Sequence, residues 1–171
     1  MILGLDVSTS ITGVCILDNN KNLILSDYII LKKGKDIFEK GEMIKEYLTK
    51  IKKEYDIKEI VIEKSLQTFR SGFSSAKTLS LLASFNGLTS WFCYDIFKLK
   101  PEYVSATSAR KMAGIKVPKG KKGKEVVYDW VVNQNKMIEE ELTRTGRPKP
   151  YMYDQCDAII VALSAGDNDV L

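Results

Sequence analysis

The sequence predicts an α/β fold: a mixed five-stranded sheet, with an antiparallel meander of strands 1–3 followed by parallel strands 4 and 5, flanked by helices. Three observations lead there. Residues 1–33 hold three consecutive apolar segments joined by short turns, which is the pattern of a meander. The period then becomes helical at Asp36 and reverts at 57–65 to a short β-branched run, so the helix is a crossover that brings a fourth strand in parallel to the first. A second helical segment, 74–97, leads to a fifth strand at 101–106.

Residues 1–8, carrying ILGLDVS, are the first strand. ITGVCILDNN (11–20) is the second and ends in an Asn-rich turn, and KNLILSDYIILKK (21–33) is the third. From Asp36 onward Ile37, Ile44, Leu48, Ile51 and Tyr55 recur at helical spacing, and Asp36 with Glu39 makes a capping pair. This helix is expected to cover one face of the sheet. IKEIVIEKS (57–65) is the fourth strand and closes on Glu63.

Segment 74–97 carries two stripes. Ala76, Ser80, Ala83, Gly87 and Ser90 make one of small residues, while Leu81, Phe85, Leu88 and Phe92 make a bulky one on another face. Two apolar faces need two partners: the sheet, and either another helix of this chain or the same helix of a second subunit. PEYVSA (101–106) is the fifth strand and TSARKMAGI (107–115) a short helix. EVVYDWVVNQNKMIEEEL (125–142) reads as a helix with Val127, Trp130, Val131, Gln134 and Ile138 on one face. MYDQCDAIIVALSAG (152–166) is the last helix, apolar after its first turn at Ala158, Ile159, Val161, Ala162 and Leu163. With no internal repeat or linker, 1–171 is expected to be one domain.

A composition of 44% hydrophobic and 28% charged residues is that of a soluble globular protein. No apolar run approaches the ~20 residues that span a bilayer, and the start MILGLDV lacks a basic region before an apolar core, so a cytoplasmic location is expected. Cys15, Cys93 and Cys156 are odd in number and lack metal-ligand spacing, which predicts reduced, packed thiols. There is no histidine, which excludes a Ser-His-Asp triad, a Cys-His pair and His-ligated zinc. Hydrolytic chemistry near neutral pH would therefore fall to carboxylates with a hard, oxygen-loving metal such as Mg²⁺. The net charge is only +4, yet KVPKGKKGK (116–124) carries five lysines and TRTGRPKP (143–150) carries Arg144, Arg147 and Lys149. Such clusters suit a polyanion, though solvated Lys-rich loops are equally common.

Asp6 and Glu63 interrupt apolar runs, LGLDV and IVIEK, where a purely structural strand would continue them. Neighbouring parallel strands lie about 4.8 Å apart, so both carboxylates reach one point at the sheet's edge. Asp154 and Asp157 are three residues apart in the first turn of the last helix, on one face, with Cys156 turned into packing. Singly, each acid has an ordinary reading as a local cap, a surface pair or an answer to the helix dipole. Together in one small site they raise one another's pKa unless counter-charge is supplied. Two divalent ions about 3.5–4 Å apart would supply it, and would suit phosphodiester hydrolysis.

GLDVSTSITGVCILD, then VIEKSL, then YDQCDAIIVALSA resembles the RNase H/retroviral-integrase superfamily, and within it the RuvC-type Holliday junction resolvases in their short phage form. The resemblance covers essentially the whole chain. It implies an RNase H-like nuclease fold, with Asp6, Glu63, Asp154 and Asp157 as the catalytic, metal-binding carboxylates holding two Mg²⁺ or Mn²⁺ ions. It also implies a homodimer that nicks opposed strands of a four-way DNA junction symmetrically, with Leu81, Phe85, Leu88 and Phe92 offered as the subunit contact. Val7 and Ser8 stand where the family has Pro and Gly, so the turn after Asp6 must be shaped differently. Leu66 stands where family members often carry an aromatic residue, leaving Phe69 and Phe73, on either side of Arg70, as stacking wedges or as packing. Selectivity is expected to relax toward replication forks and other branched DNA. Lys116, Lys119, Lys121, Lys122, Lys124, Arg144, Arg147 and Lys149 are the expected phosphate contacts.

Two other readings compete. G-x-D-x-S-T-S-x-T-G also resembles the phosphate motif of sugar kinases, actin and heat-shock ATPases, but those folds need a second such domain and a second Gly-rich loop. A non-catalytic branched-DNA binder of the same fold, or a nuclease acting on RNA, is the other. A pure binder would gain by losing the repulsion among four acids.

Overall fold

The computed structural model describes residues 1–65 and 76–166. Five strands, β1 (Ile2–Asp6), β2 (Ile11–Leu17), β3 (Leu23–Ile30), β4 (Glu59–Glu63) and β5 (Glu102–Val104), form one sheet in the order β3-β2-β1-β4-β5. β1–β2 and β2–β3 pair antiparallel, and β1–β4 and β4–β5 pair parallel, as the meander and crossover require. Among the described residues the α-helices are α1 (Ile37–Glu54), α2 (Ala76–Phe97), α3 (Ala106–Met112), α4 (Gly123–Tyr128) and α5 (Pro150–Leu163).

β1 sits mid-sheet because both its faces are buried, and its alternation sorts the core into two layers. Leu3 and Leu5, with Val14, Ile16, Ile60 and Ile62, pack on Ile44, Leu48 and Ile51 of α1 and Phe85 of α2. Ile2, Cys15, Leu17 and Val61 pack on the other side against Cys156, Ala158, Ile159 and Ala162 of α5, and Val127 of α4 joins this layer. All three cysteines are free and buried, as expected.

α1 starts where Asp36 accepts the N–H groups of Phe38 and Glu39, both at 2.9 Å, while the Glu39 carboxylate reaches back to the Lys35 N–H at 2.9 Å. Asp36 and Glu39 thus cap the helix as a pair, as expected from the sequence, with Glu39 reaching the residue before the N-cap and not Asp36 itself. On the opposite layer α5 lies directly on strand backbone. A Cβ at Gly4 would stand 2.6 Å from the Ala162 Cβ, and one at Gly13 would stand 1.9 Å from the Asp154 carbonyl oxygen.

Two expectations need correction. The helix expected over 125–142 begins at Gly123, widens into a π-helical stretch at Asp129–Gln134 and stops there. Asn133 and Gln134 turn back to the Asp129 carboxylate at 2.9 and 2.6 Å, and Asn135 caps the Trp130 carbonyl with its N–H at 3.0 Å and its side-chain amide at 2.8 Å. Lys136 then takes φ +50°, outside any right-handed helix.

The second correction concerns α2. Of the bulky stripe offered as a subunit contact, Phe85 is fully buried in this chain's own core, and Leu88 and Phe92 pack on the same layer, where Gly41 of α1 makes room for both. Only Leu81 is exposed. The face turned outward is the small stripe Ala76, Ser80, Ala83 and Gly87, together with Trp91 (60% exposed) and Tyr94 (40%).

Candidate active site

Parity along the strands decides where the acids point. Ile2 and Val61 belong to the α5-side layer, so Asp6 and Glu63, four and two residues further on, share that face. The register Leu5↔Ile62 brings Asp6 and Glu63 level one step later, at the C-terminal edge of two adjacent parallel strands. Across β1–β2, Asp6 pairs with Gly13, the residue on which the Asp154 backbone rests. The bare backbone at Gly13 thus delivers the start of α5 to Asp6. Asp154 and Asp157 follow on one face of α5, their side chains 16% and 7% exposed.

The hydroxyl residues after Asp6 build the turn that follows β1. Ser8 Oγ donates to the Ile11 carbonyl at 2.7 Å and accepts the N–H groups of Ser10 and Ile11 at 3.2 and 3.1 Å. Thr12 Oγ1 donates to the Ser8 carbonyl at 3.1 Å. Residues 7–10 all keep negative φ, so no glycine is needed there.

The four acids share one electrostatic neighbourhood. Burial holds the Asp6 carboxyl well above its ordinary range, and Glu63, Asp157 and Asp154 push it further in the same direction. Glu63 is pushed up to about 7 by burial and by Asp157. Asp154 and Asp157 are likewise raised by burial, with Lys124 pulling each back.

Lys124, expected among the phosphate-binding lysines, is 55% exposed and also places Nζ 3.3 Å from both Asp154 Oδ1 and Asp157 Oδ2. Burial works against its charge, but Asp6, Asp157 and Asp154 outweigh it and hold the ammonium firmly protonated. Arg110, at the end of α3, was not anticipated. Its guanidinium packs where a Gly123 side chain would be, 2.6 Å from the position of a Cβ, and its charge acts on Glu63 and Asp157. Nothing in the sequence separates it from any other helix-end arginine.

Four acids, Asp157 buried and the others half-buried, face two cations, and all the acids' donors are hard oxygens, which fits Mg²⁺ or Mn²⁺. Among the described residues no three acids are already closed around one point as a ligand set. The ammonium between Asp154 and Asp157 stands where a cation would be held.

Lys116, Lys119, Lys121, Lys122, Arg144 and Arg147 are exposed, with Lys122 paired to Glu125 at 3.3 Å. Lys149 is tied to Glu141 at 2.8 Å, and Glu141 also accepts the Tyr151 hydroxyl at 2.6 Å, so much of its charge is answered within the chain. Phe69, Arg70 and Phe73 lie outside the described residues. No helix among the described residues is long and apolar enough to cross a membrane.

No family model matches the sequence, and no curated protein does. Solved structures do match. Thermus thermophilus RuvC in complex with a Holliday junction substrate superposes with a TM-score of 0.66 at 11% identity, over 95% of this chain and 90% of that one. A second structure of Thermus thermophilus RuvC gives 0.62 at 16% identity, covering 95% of this chain and 91% of that one. The yeast mitochondrial Holliday junction resolvase Ydc2 gives 0.58 at 14% identity, covering 95% and 75%. The chain has the RuvC-type, RNase H-like fold.

Proposed function

We propose that this protein is a metal-dependent endonuclease of RuvC type that resolves four-way DNA junctions, and cuts forks and other branched DNA, by paired symmetric nicks. The observation that carries the reading is the gathering of Asp6 from β1, Glu63 from β4, and Asp154 and Asp157 from α5 on one face of the sheet. Burying such a group costs stability, so a purely structural domain would not keep it. Likeness of fold to two resolvases supports the same reading.

Asp6, Glu63, Asp154 and Asp157 would hold the Mg²⁺ or Mn²⁺ pair, which when bound supplies an activated water and charge stabilisation for the departing 3′ oxygen. The chain's own residues supply the rest. Gly13 sets the depth of α5, the Ser8 and Thr12 hydroxyls fix the turn beyond Asp6, and Lys124 offsets part of the acids' charge while DNA is absent. Lys116, Lys119, Lys121, Arg144 and Arg147, exposed on segments that flank Lys124 and α5, would follow phosphate backbones without reading bases.

The deciding experiment incubates the protein with end-labelled synthetic four-way junctions, with and without Mg²⁺. Two nicks at symmetric positions, dependent on the ion, are expected. Binding without cleavage under every metal would leave a branched-DNA binder instead.

Symmetric nicking needs two copies. The outward face of α2, with Gly87 bare and Trp91 and Tyr94 beside it, is the proposed subunit contact in place of the inward stripe. Trp91→Glu is expected to convert the dimer to monomer in sedimentation velocity, and to replace paired nicks with single, uncoordinated ones. An unchanged sedimentation coefficient would move the interface elsewhere.

A further inference from the structure

We infer that Asn86 is a positioning residue for Glu63, an inference that rests on the nuclease reading above. Asn86 is 5% exposed in α2, between the buried Phe85 and the bare Gly87. Its side-chain amide donates to the backbone carbonyl of Glu63 at 2.9 Å. That carbonyl belongs to the last residue of β4, one position past Leu5↔Ile62, where the β1–β4 pairing has run out. A helix side chain takes over there from the sheet.

The contact is one link of a closed circuit. Ser90 Oγ, one turn further along α2, donates to the Asn86 carbonyl at 2.7 Å, and the Tyr103 hydroxyl donates to Ser90 Oγ at 2.6 Å. Tyr103 belongs to β5, whose next residue, Val104, pairs with Glu63 and accepts the Lys64 N–H at 2.8 Å. The Glu63 peptide is therefore held on one side by β5 and on the other by the Asn86 amide, whose helix backbone is tied to β5 through Ser90 and Tyr103. Direction matters here because the peptide plane sets the Cα–Cβ vector, and Mg²⁺ tolerates little departure from octahedral ligand placement. Without the amide bond, the last peptide of β4 would be free to rock and the carboxylate would swing with it.

An ordinary helix-to-sheet contact would also bury an asparagine, so the test must separate holding the fold from aiming the carboxylate. Asn86→Leu keeps volume and removes the donor; Tyr103→Phe removes only the far brace. In both, Mn²⁺ affinity is read by calorimetry on the DNA-free protein, alongside melting temperature, junction Kd, and kcat and KM. Asn86→Leu is expected to weaken Mn²⁺ binding at least 10-fold and to lower kcat with KM and junction Kd unchanged. Tyr103→Phe shifts the same two quantities by a smaller factor. A lower melting temperature with an unchanged Mn²⁺ Kd in Asn86→Leu overturns the inference. Should that variant not fold, an unchanged Mn²⁺ Kd in Tyr103→Phe overturns it equally. A wild-type protein that neither binds Mn²⁺ nor cuts junctions brings down the nuclease reading and this inference with it, whereas a metal-binding wild type beside unaffected variants removes the inference alone.

Discussion

Asp6→Asn is expected to lower junction cleavage by about 10³-fold or more while leaving junction binding within about twofold. If Asp6 holds metal as proposed, its loss would remove several kcal/mol of transition-state charge stabilisation, and each 1.36 kcal/mol is worth tenfold in rate. Under the proposed function, binding would fall to exposed lysines and arginines on other segments and should persist. The same substitution is expected to stabilise the metal-free protein. Asp6 is held far from its ordinary ionisation by burial and by three neighbouring acids, so an uncharged, nearly isosteric amide relieves repulsion that the native fold sustains. A gain of roughly 1–2 kcal/mol would raise the melting temperature in chelator by about 2–8 °C. Gel assays of nicking, a filter-binding titration and calorimetry in chelator check the three parts. Cleavage near the wild-type rate, or a variant that melts earlier than wild type in chelator, would contradict the acid-cluster account.

Gly13→Ala is expected to be the most damaging single-methyl change in the chain. The added Cβ would lie 1.9 Å from the Asp154 carbonyl oxygen and 2.5 Å from its carbonyl carbon, and both are helix backbone with no rotamer to yield. Either α5 lifts from the sheet or β2 bends. The cost is about 3 kcal/mol or more, at the upper end for overpacked sites. Whatever fraction folds should bind Mn²⁺ poorly, because Asp154 and Asp157 ride on the displaced turn. Gly4→Ala makes the comparison: its clash is with Ala162 and with the backbone of Ala158, the residue after Asp157, so it should destabilise comparably while displacing α5 further from Asp154. Equal Mn²⁺ affinity in wild type and Gly13→Ala would show that α5 is not seated by this contact.

The strands, the crossover and the four acids were legible because each leaves a local mark. LGLDV and IVIEK are apolar runs broken by a charge, and D-x-x-D precedes the apolar run of the last helix, although α5 begins at Pro150 and so carries the pair beyond its first turn, not in it as the sequence suggested. What escaped depends on contacts made far away in the chain. Periodicity showed that α2 has two stripes, but which one turns inward was decided by the notch at Gly41 on α1, into which Leu88 and Phe92 fit. Lys124 is one lysine among five in its run, and only the folded chain separates it from Lys116 or Lys119 by setting it against Asp154 and Asp157. The helix beyond Gln134 failed because Asn133, Gln134 and Asn135 turn their amides on nearby acceptors, a competition that apolar spacing does not register. Asn86 did leave a trace: a lone amide in S-F-N-G, within a helix whose inward positions are otherwise Phe, Thr, Ser and Cys.

The order of the elements along the chain bears on synthesis. All five strands precede residue 105, but half of the acids arrive with α5, more than forty residues later. A nascent polypeptide can therefore complete its sheet on the ribosome while the acid cluster is still half made. On the nuclease reading, cleavage competence would be deferred until α5 emerges and settles onto the two bare glycines.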